Sequence, residues 1–321
     1  MGIPFRNDGN DGNDGNDGND GNDGNDGNDG NTSSVSGVRA YSGRVTSPLL
    51  ARALSTTQGE ITRGYAKITS TPTHGAIDSK KRFDRWSRDV RGHQYEFELL
   101  AGLAFSAGTL KTASGTAVAV VGVPDYETTD PKLEAALNAV IKKAALRADR
   151  MEEILTQVAL PYAFYAMVLN LQPGRHRHTF ELMAAVWRMS TVVVMQFKHY
   201  FGIARPADRS PLVQPVLLTP GHGAYPAGHA TQCNFVTFVL KKLLGGPSAD
   251  VEEQLKRLTK RIPENRVVAG LHYVEDNTAG AQLGEALGKY FCDKAAIPAG
   301  TDPKDFTALQ WLWDRASQEW K

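Results

Sequence analysis

The chain has 321 residues, of which 41% are hydrophobic, with two cysteines and a formal charge of +1. That is enough apolar material for a sizeable core, and two cysteines exclude a disulfide framework or a cysteine-built metal site. The near-neutral charge is an average. Residues 7–30 are eight Asn-Asp-Gly triplets carrying eight Asp, and without those eight negative charges the formal charge rises from +1 to +9. A moderately basic body suits anionic ligands. No basic run with interleaved aromatics and no zinc-finger spacing is present, so no nucleic-acid partner is expected.

In chain order, residues 1–31 read as a disordered anionic tail. The triplets offer nothing to bury, and glycine at every third residue without proline is not collagen. Met1–Arg6 has no apolar signal-peptide core, and no stretch approaches about 18 uninterrupted apolar residues. The reading is therefore a soluble protein without a membrane span, cytoplasmic by default, with an extracellular location left open. Residues 32–80, rich in Ser, Thr and Gly, read as an extended arm, and residues 81–321 as a helical catalytic domain.

Within that domain, Tyr95, Phe97, Leu99, Leu100, Leu103 and Phe105 suggest one helix ending near Gly108. Residues 111–124 read as loop or short strand. Pro131 opens a helical pattern through Leu133, Leu137, Val140 and Ile141 that continues to Leu160 and breaks at Pro161. Tyr162–Leu171 is apolar enough for a central helix. Arg175-His176-Arg177-His178 reads as a solvated helix start. Thr179–Tyr200 is a strong helix with Lys198 in its last turns. Thr231–Leu244, Val251–Arg261 and Asp276–Tyr290 follow, the last with small residues that permit close packing. Phe306–Trp320 fits either a homo-oligomer interface or a helix docked on its own body. The expected fold class is all-α, a helical bundle.

Three pieces between Lys198 and Asp276 carry chemistry. Lys198 is followed after six residues by Arg205-Pro206. Next comes Tyr225-Pro226-Ala227-Gly228-His229-Ala230. Last, Arg266 is followed after five residues by His272, and His272 after three by Asp276. Arg supplies a planar fork for two oxyanion oxygens and Lys a point charge. Pro206 disfavours the helical conformation at Arg205 and turns it off the helix axis. Gly228 lets backbone and its N–H approach a ligand, and His229 opens a helix. His272 and Asp276, at i and i+4, are expected on one helix face, where the carboxylate fixes the imidazole tautomer.

Together these motifs resemble the superfamily shared by vanadium-dependent haloperoxidases and type-2 phosphatidic acid phosphatases. The resemblance implies a helical bundle. In a haloperoxidase, His272 would bind vanadate as its metal ligand. Lys198, Arg205, Arg266 and the Gly228 amide would hold the cofactor's oxygens, with phosphate able to occupy the same site. His229 would assist peroxide binding, and Asp276 would orient His272. In a phosphatase, His272 would be the nucleophile of a phosphohistidine and His229 would protonate the leaving alcohol.

Two residues depart from the family pattern. Ala227 stands where the family has Ser, removing a hydroxyl donor, and Asn265 replaces the Ser before the motif's Arg. The absence of the lipid phosphatases' membrane helices, the Tyr225-Pro226 and Ala230-Thr231 flanks, and His222 seven residues before His229 favour a bromoperoxidase-like reading. That reading makes the chain a haloperoxidase oxidising bromide or iodide with hydrogen peroxide to hypohalous acid, for a small organic acceptor. A soluble acid phosphatase is the alternative, and a non-catalytic oxyanion-binding homologue the third reading.

Overall fold

A computed structural model of the protein describes residues 48–61, 63 and 80–321, and the triplet tract lies outside these. The chain divides into two units, Met1–Arg91 and Gly92–Lys321. In the first, α1 (Pro48–Ile61) buries none of its residues. The arm expected to be extended is helical over this span. Leu50 and Leu54 lie at i and i+4, so apolar helical spacing was present among the Ser and Thr residues.

The second unit is predominantly helical. α2 (Arg88–Leu100) ends earlier than its apolar spacing suggests. Leu103 and Phe105 belong instead to β1 (Leu103–Ser106), which pairs antiparallel with β2 (Thr109–Thr112), Phe105 facing Leu110 across the ladder. Ala107 and Gly108, both at positive φ, make the turn. β3 (Ala117–Val120) pairs antiparallel with β2 and completes a three-stranded sheet. Short apolar runs are ambiguous between the two periods, and the turn residues decide here.

The expected long pattern after Pro131 splits into α3 (Asp130–Lys143) and α4 (Arg147–Thr156). α5 (Tyr162–Leu169) buries only Tyr165 and leaves Met167 75% exposed, so it is peripheral rather than central. α6 (Arg177–Phe201) is the long helix. Its start is not solvated as expected. Glu319 accepts from the backbone N–H groups of His178 (2.7 Å) and Thr179 (2.8 Å), which caps the helix. His176 is buried and packs 4.7 Å from the Trp320 ring. These contacts come from the C-terminal segment, where α11 (Ala308–Gln318) buries Leu309, Leu312 and Ala316. That segment is thus docked on its own body.

The expectation of no membrane span and a soluble protein is corrected. The segment Arg177–Arg209 is long and apolar enough to cross a membrane by length and composition, with mean hydropathy 1.2 over its best window. Counting uninterrupted apolar residues missed it, because Glu181, Arg188 and Gln196 break the run while the apolar residues between them keep its average high. In this structure 56% of that window is buried inside the protein.

Gly202, in the left-handed conformation, ends α6, and α7 (Pro206–Arg209) is a single turn. α8 (Gly228–Leu243) is the core helix, against which α6, α9 (Ala249–Val268) and α10 (Val274–Ala295) pack. α9 runs through Pro263, well beyond its expected end, and so carries Arg266 in its last turn. The closest approach is α8 to α10. A Cβ on Gly280 would lie 2.5 Å from the Ala227 carbonyl, one on Gly284 2.3 Å from the Thr231 carbonyl, and one on Gly288 2.6 Å from the Phe238 ring. This stripe, four residues apart, is why the small residues of α10 matter. The close crossing has a measurable consequence. Gly284→Ala is expected to destabilise the protein by about 1–3 kcal/mol, because its Cβ meets backbone that cannot rotate away. Urea melts of both proteins check this, and an unchanged midpoint would show that the helices slide apart freely.

Candidate active site

Four chain segments meet where the α8 and α10 N-termini lie side by side, joined by the Ala227 N–H donating to the Asp276 carbonyl at 3.0 Å. Lys198 reaches in from α6. Its Nζ donates to the carbonyls of Gly223 and Ala224, each at 2.7 Å. That loop is seated on the end of α6, with Ala224 N–H donating to the Ile203 carbonyl at 2.8 Å.

Arg205 is extended (φ −74°, ψ 159°), as its following proline requires, and begins α7, with its own N–H donating to Asp208 Oδ2 at 3.0 Å. Helix continuity does not align it with Lys198. Gly202 breaks the helix, and the loop at 222–224 brings the two cations together. Arg205 Nε donates to the His222 carbonyl (2.9 Å) and Nη1 to the Leu271 carbonyl (2.8 Å). Nη1 also lies 3.4 Å from His272 Nε2, and Nη2 lies 3.1 Å from His222 Nδ1.

His272 is not on a helix face. It lies in the turn before α10, whose N-cap is Tyr273. Asp276 reaches back from the first turn of α10. Its Oδ2 accepts from the Tyr273 N–H and from His272 Nδ1, both at 3.0 Å, and its Oδ1 accepts from the Tyr126 hydroxyl at 2.7 Å. A carboxylate at a helix N-terminus is favoured there. The pairing is as expected, but capping of α10 produces it rather than a shared helix face.

With Nδ1–H donated to Asp276, His272 Nε2 keeps its lone pair and presents it beside Arg205. Burial, and then the Lys198 and Arg205 charges, hold the His272 imidazole well below its usual range, so the ring is neutral near pH 7. Burial pushes the Lys198 ammonium down, with the Arg205 charge adding to it.

On the other side, Gly228 is the first residue of α8, with only the Gln232 side chain within 4.0 Å of a notional Cβ. Its N–H and those of the next residues belong to the unpaired first turn of the helix. His229 follows, with Nε2 2.9 Å from the Gln157 carbonyl and its ring edge-on to Trp187 at 5.8 Å. The acceptor for this ring is therefore a backbone carbonyl, which makes Nε2 the protonated nitrogen. Burial, then the Arg266 charge, push the His229 ring down to about 4.

Arg266 donates from Nη2 to the Ile154 carbonyl at 2.6 Å, and its Nε is buried without a partner among the described residues. Asn265, in the place of the family's Ser, donates to Glu153 Oε2 (2.9 Å) and Gln157 Oε1 (2.8 Å). It ties α4 to α9 and so fixes the segment whose carbonyl holds His229. Neither Tyr126 nor Gln157 was among the expected site residues, and no local signal in the sequence marks either one.

The charge balance is one-sided. Lys198, Arg205 and Arg266 are only 2–3% exposed. Their side-chain bonds above go to carbonyls and imidazole nitrogens, and none of them forms an ion pair with a carboxylate among the described residues. Burying an unpaired charge is costly, so an excess of buried cations favours an anion among them. A tetrahedral or trigonal oxyanion, vanadate included, fits this set of donors, with Arg266 Nε as a donor awaiting an acceptor. Among the described residues no cluster of His, Cys, Asp or Glu is arranged to hold a metal cation.

Ala227 is the fully buried N-cap of α8 and provides no side-chain cap. Serine at a helix N-cap accepts from the N–H groups of the first turn, so Ala227→Ser is expected to raise stability by about 1 kcal/mol. Thermal melts test this, and a lowered midpoint would mean the hydroxyl has no room there.

No protein-family model matches the chain, and no curated protein sequence matches it. Among solved structures the chain is similar to one described as the first transmembrane PAP2 type phosphatidylglycerolphosphate phosphatase from Bacillus subtilis. The match is 19% identical with a TM-score of 0.39, covering 54% of this chain and 91% of that one.

Proposed function

We propose that the site hydrolyses phosphate monoesters through a phosphohistidine on His272. The observation that carries this reading is the buried cation excess around a neutral imidazole whose Nδ1 is held by Asp276. Lys198, Arg205, Arg266 and the α8 N-terminus neutralise the phosphoryl oxygens. His272 Nε2 attacks phosphorus, a P–N bond forms and the P–O bond to the alcohol breaks. The leaving oxygen takes a proton from His229 in its imidazolium form. Neutral His229 then takes a proton from the water that attacks the phosphohistidine, releasing phosphate and restoring the ring. Every group these steps need is supplied by the chain, the substrate and water.

The second reading, a haloperoxidase, is favoured by His222, whose exposed ring lies 3.1 Å from Arg205 at the rim of the cation cluster. Vanadate bound at His272 would supply a Lewis-acidic centre that activates hydrogen peroxide to oxidise bromide or iodide. His222 would then stand beside the incoming halide, and neutral His229 would accept a proton.

Orthovanadate separates the two readings. With p-nitrophenyl phosphate as substrate, a phosphatase is inhibited by it. In bromide and peroxide, a haloperoxidase is activated by it. Bromide oxidation at saturating orthovanadate without phosphate release overturns the first reading, and the absence of both activities leaves only an oxyanion-binding protein.

A further inference from the structure

We propose that Tyr126 is a positioning residue for this site, its hydroxyl fixing the Asp276 carboxylate and, through it, the attacking orientation of His272. The inference rests on the proposed role of His272. Asp276 is fully buried and receives donors on both oxygens. His272 and the Tyr273 amide bond Oδ2, and Tyr126 bonds Oδ1 at 2.7 Å. Without the hydroxyl, Oδ1 loses a buried donor and the carboxylate is freer to turn about its own axis, taking Nδ1 of His272 with it.

The tyrosine is itself held firmly. It is 3% exposed and its ring lies against Tyr273, with centroids 4.2 Å apart and an interplanar angle of 31°. The single 3-10 turn that carries it, Asp125–Glu127, is braced at both ends. Asp125 N–H donates to Glu275 Oε1 at 2.7 Å, and Arg209 Nη2 donates to both Glu127 oxygens at 3.2 Å. Glu275 adjoins Asp276, and Arg209 ends the turn that Arg205 begins. The segment therefore ties the imidazole half of the site to the guanidinium half, with Tyr126 directed at the carboxylate between them.

Tyr126→Phe removes only the hydroxyl and keeps the stacked ring. The readout is the low-field Nδ1–H proton signal of His272 in the full chain, assigned by its loss in His272→Gln. In Tyr126→Phe this signal is expected to move upfield or broaden. The kcat for p-nitrophenyl phosphate should fall about tenfold with KM within about twofold, as for other groups that orient an active imidazole. Lys132→Ala, which removes an exposed partner of Asp125 but leaves the hydroxyl and both braces, should leave the signal in place. An unmoved signal with unchanged kcat in Tyr126→Phe overturns the inference. A moved signal in a protein without phosphatase activity supports the positioning role while the phosphoryl-transfer reading fails. Should Tyr126→Phe not fold, 3-fluorotyrosine at position 126 strengthens the donor without changing its shape. The His272 signal must then shift, and its constancy would overturn the inference.

Discussion

Replacing His272 with alanine is expected to abolish hydrolysis of p-nitrophenyl phosphate, a fall of about 10⁴-fold or more in kcat. The ring supplies the only nucleophile in the proposed scheme, and its Nε2 is the atom that faces Arg205 at 3.4 Å. The cations, the α8 N-terminus and His229 remain in the variant, so phosphate should still bind, with an affinity within about tenfold of the wild type's, one lost hydrogen bond's worth. Acid-labile protein-bound phosphate, trapped by rapid quench in the wild type, should be absent from the variant. Asp276→Asn should cost less than His272→Ala, because the ring stays but loses its carboxylate partner. Turnover within tenfold of wild type in His272→Ala would end the mechanism proposed here.

The second large effect belongs to His229 and depends on the leaving group. A general acid contributes about 10²–10⁴-fold when the departing oxygen needs a proton. His229→Ala should therefore lose that factor in the rate of phosphohistidine formation from an alkyl phosphate, read by rapid quench, and far less from p-nitrophenyl phosphate, whose phenolate leaves unaided.

The pH dependence follows from the downward shift. The imidazolium form needed for the alkyl ester is abundant below the ring's pKa, which is about 4 in the ligand-free site, and is lost as pH rises through it. A bound phosphate dianion offsets the Arg266 and Lys198 charges and moves that value upward, while the burial contribution stays. The kcat for an alkyl phosphate should thus fall on the alkaline side at a pH between about 4 and the ordinary histidine value near 6.5. The p-nitrophenyl ester should show no such limb from leaving-group protonation. Identical pH profiles for the two esters, or equal losses in His229→Ala, would remove His229 from the acid role.

The sequence by itself determined the residue types of the candidate site and their order, Lys198 and Arg205, then Gly228 and His229, then Arg266, His272 and Asp276. It also determined the helical class, because apolar spacing near 3.6 residues is a local property of α6, α8 and α10. Pro206 forces Arg205 off the helix and Gly202 ends α6, and both effects act within a residue or two.

Tertiary structure alone decided how these parts meet. Lys198 and Arg205 come together through backbone carbonyls of a loop 17 to 26 residues away. His229 is held by the Gln157 carbonyl, and a carbonyl leaves no trace in residue identity. Tyr126 reaches Asp276 across 150 residues of chain. Glu319 caps α6 from the far end of the sequence. The contrast with the His272–Asp276 pair is physical. A cap forms between residues three or four apart and can be read from spacing. A hydrogen bond between distant segments depends on packing, such as the glycine-lined crossing of α8 and α10 that sets their N-termini side by side.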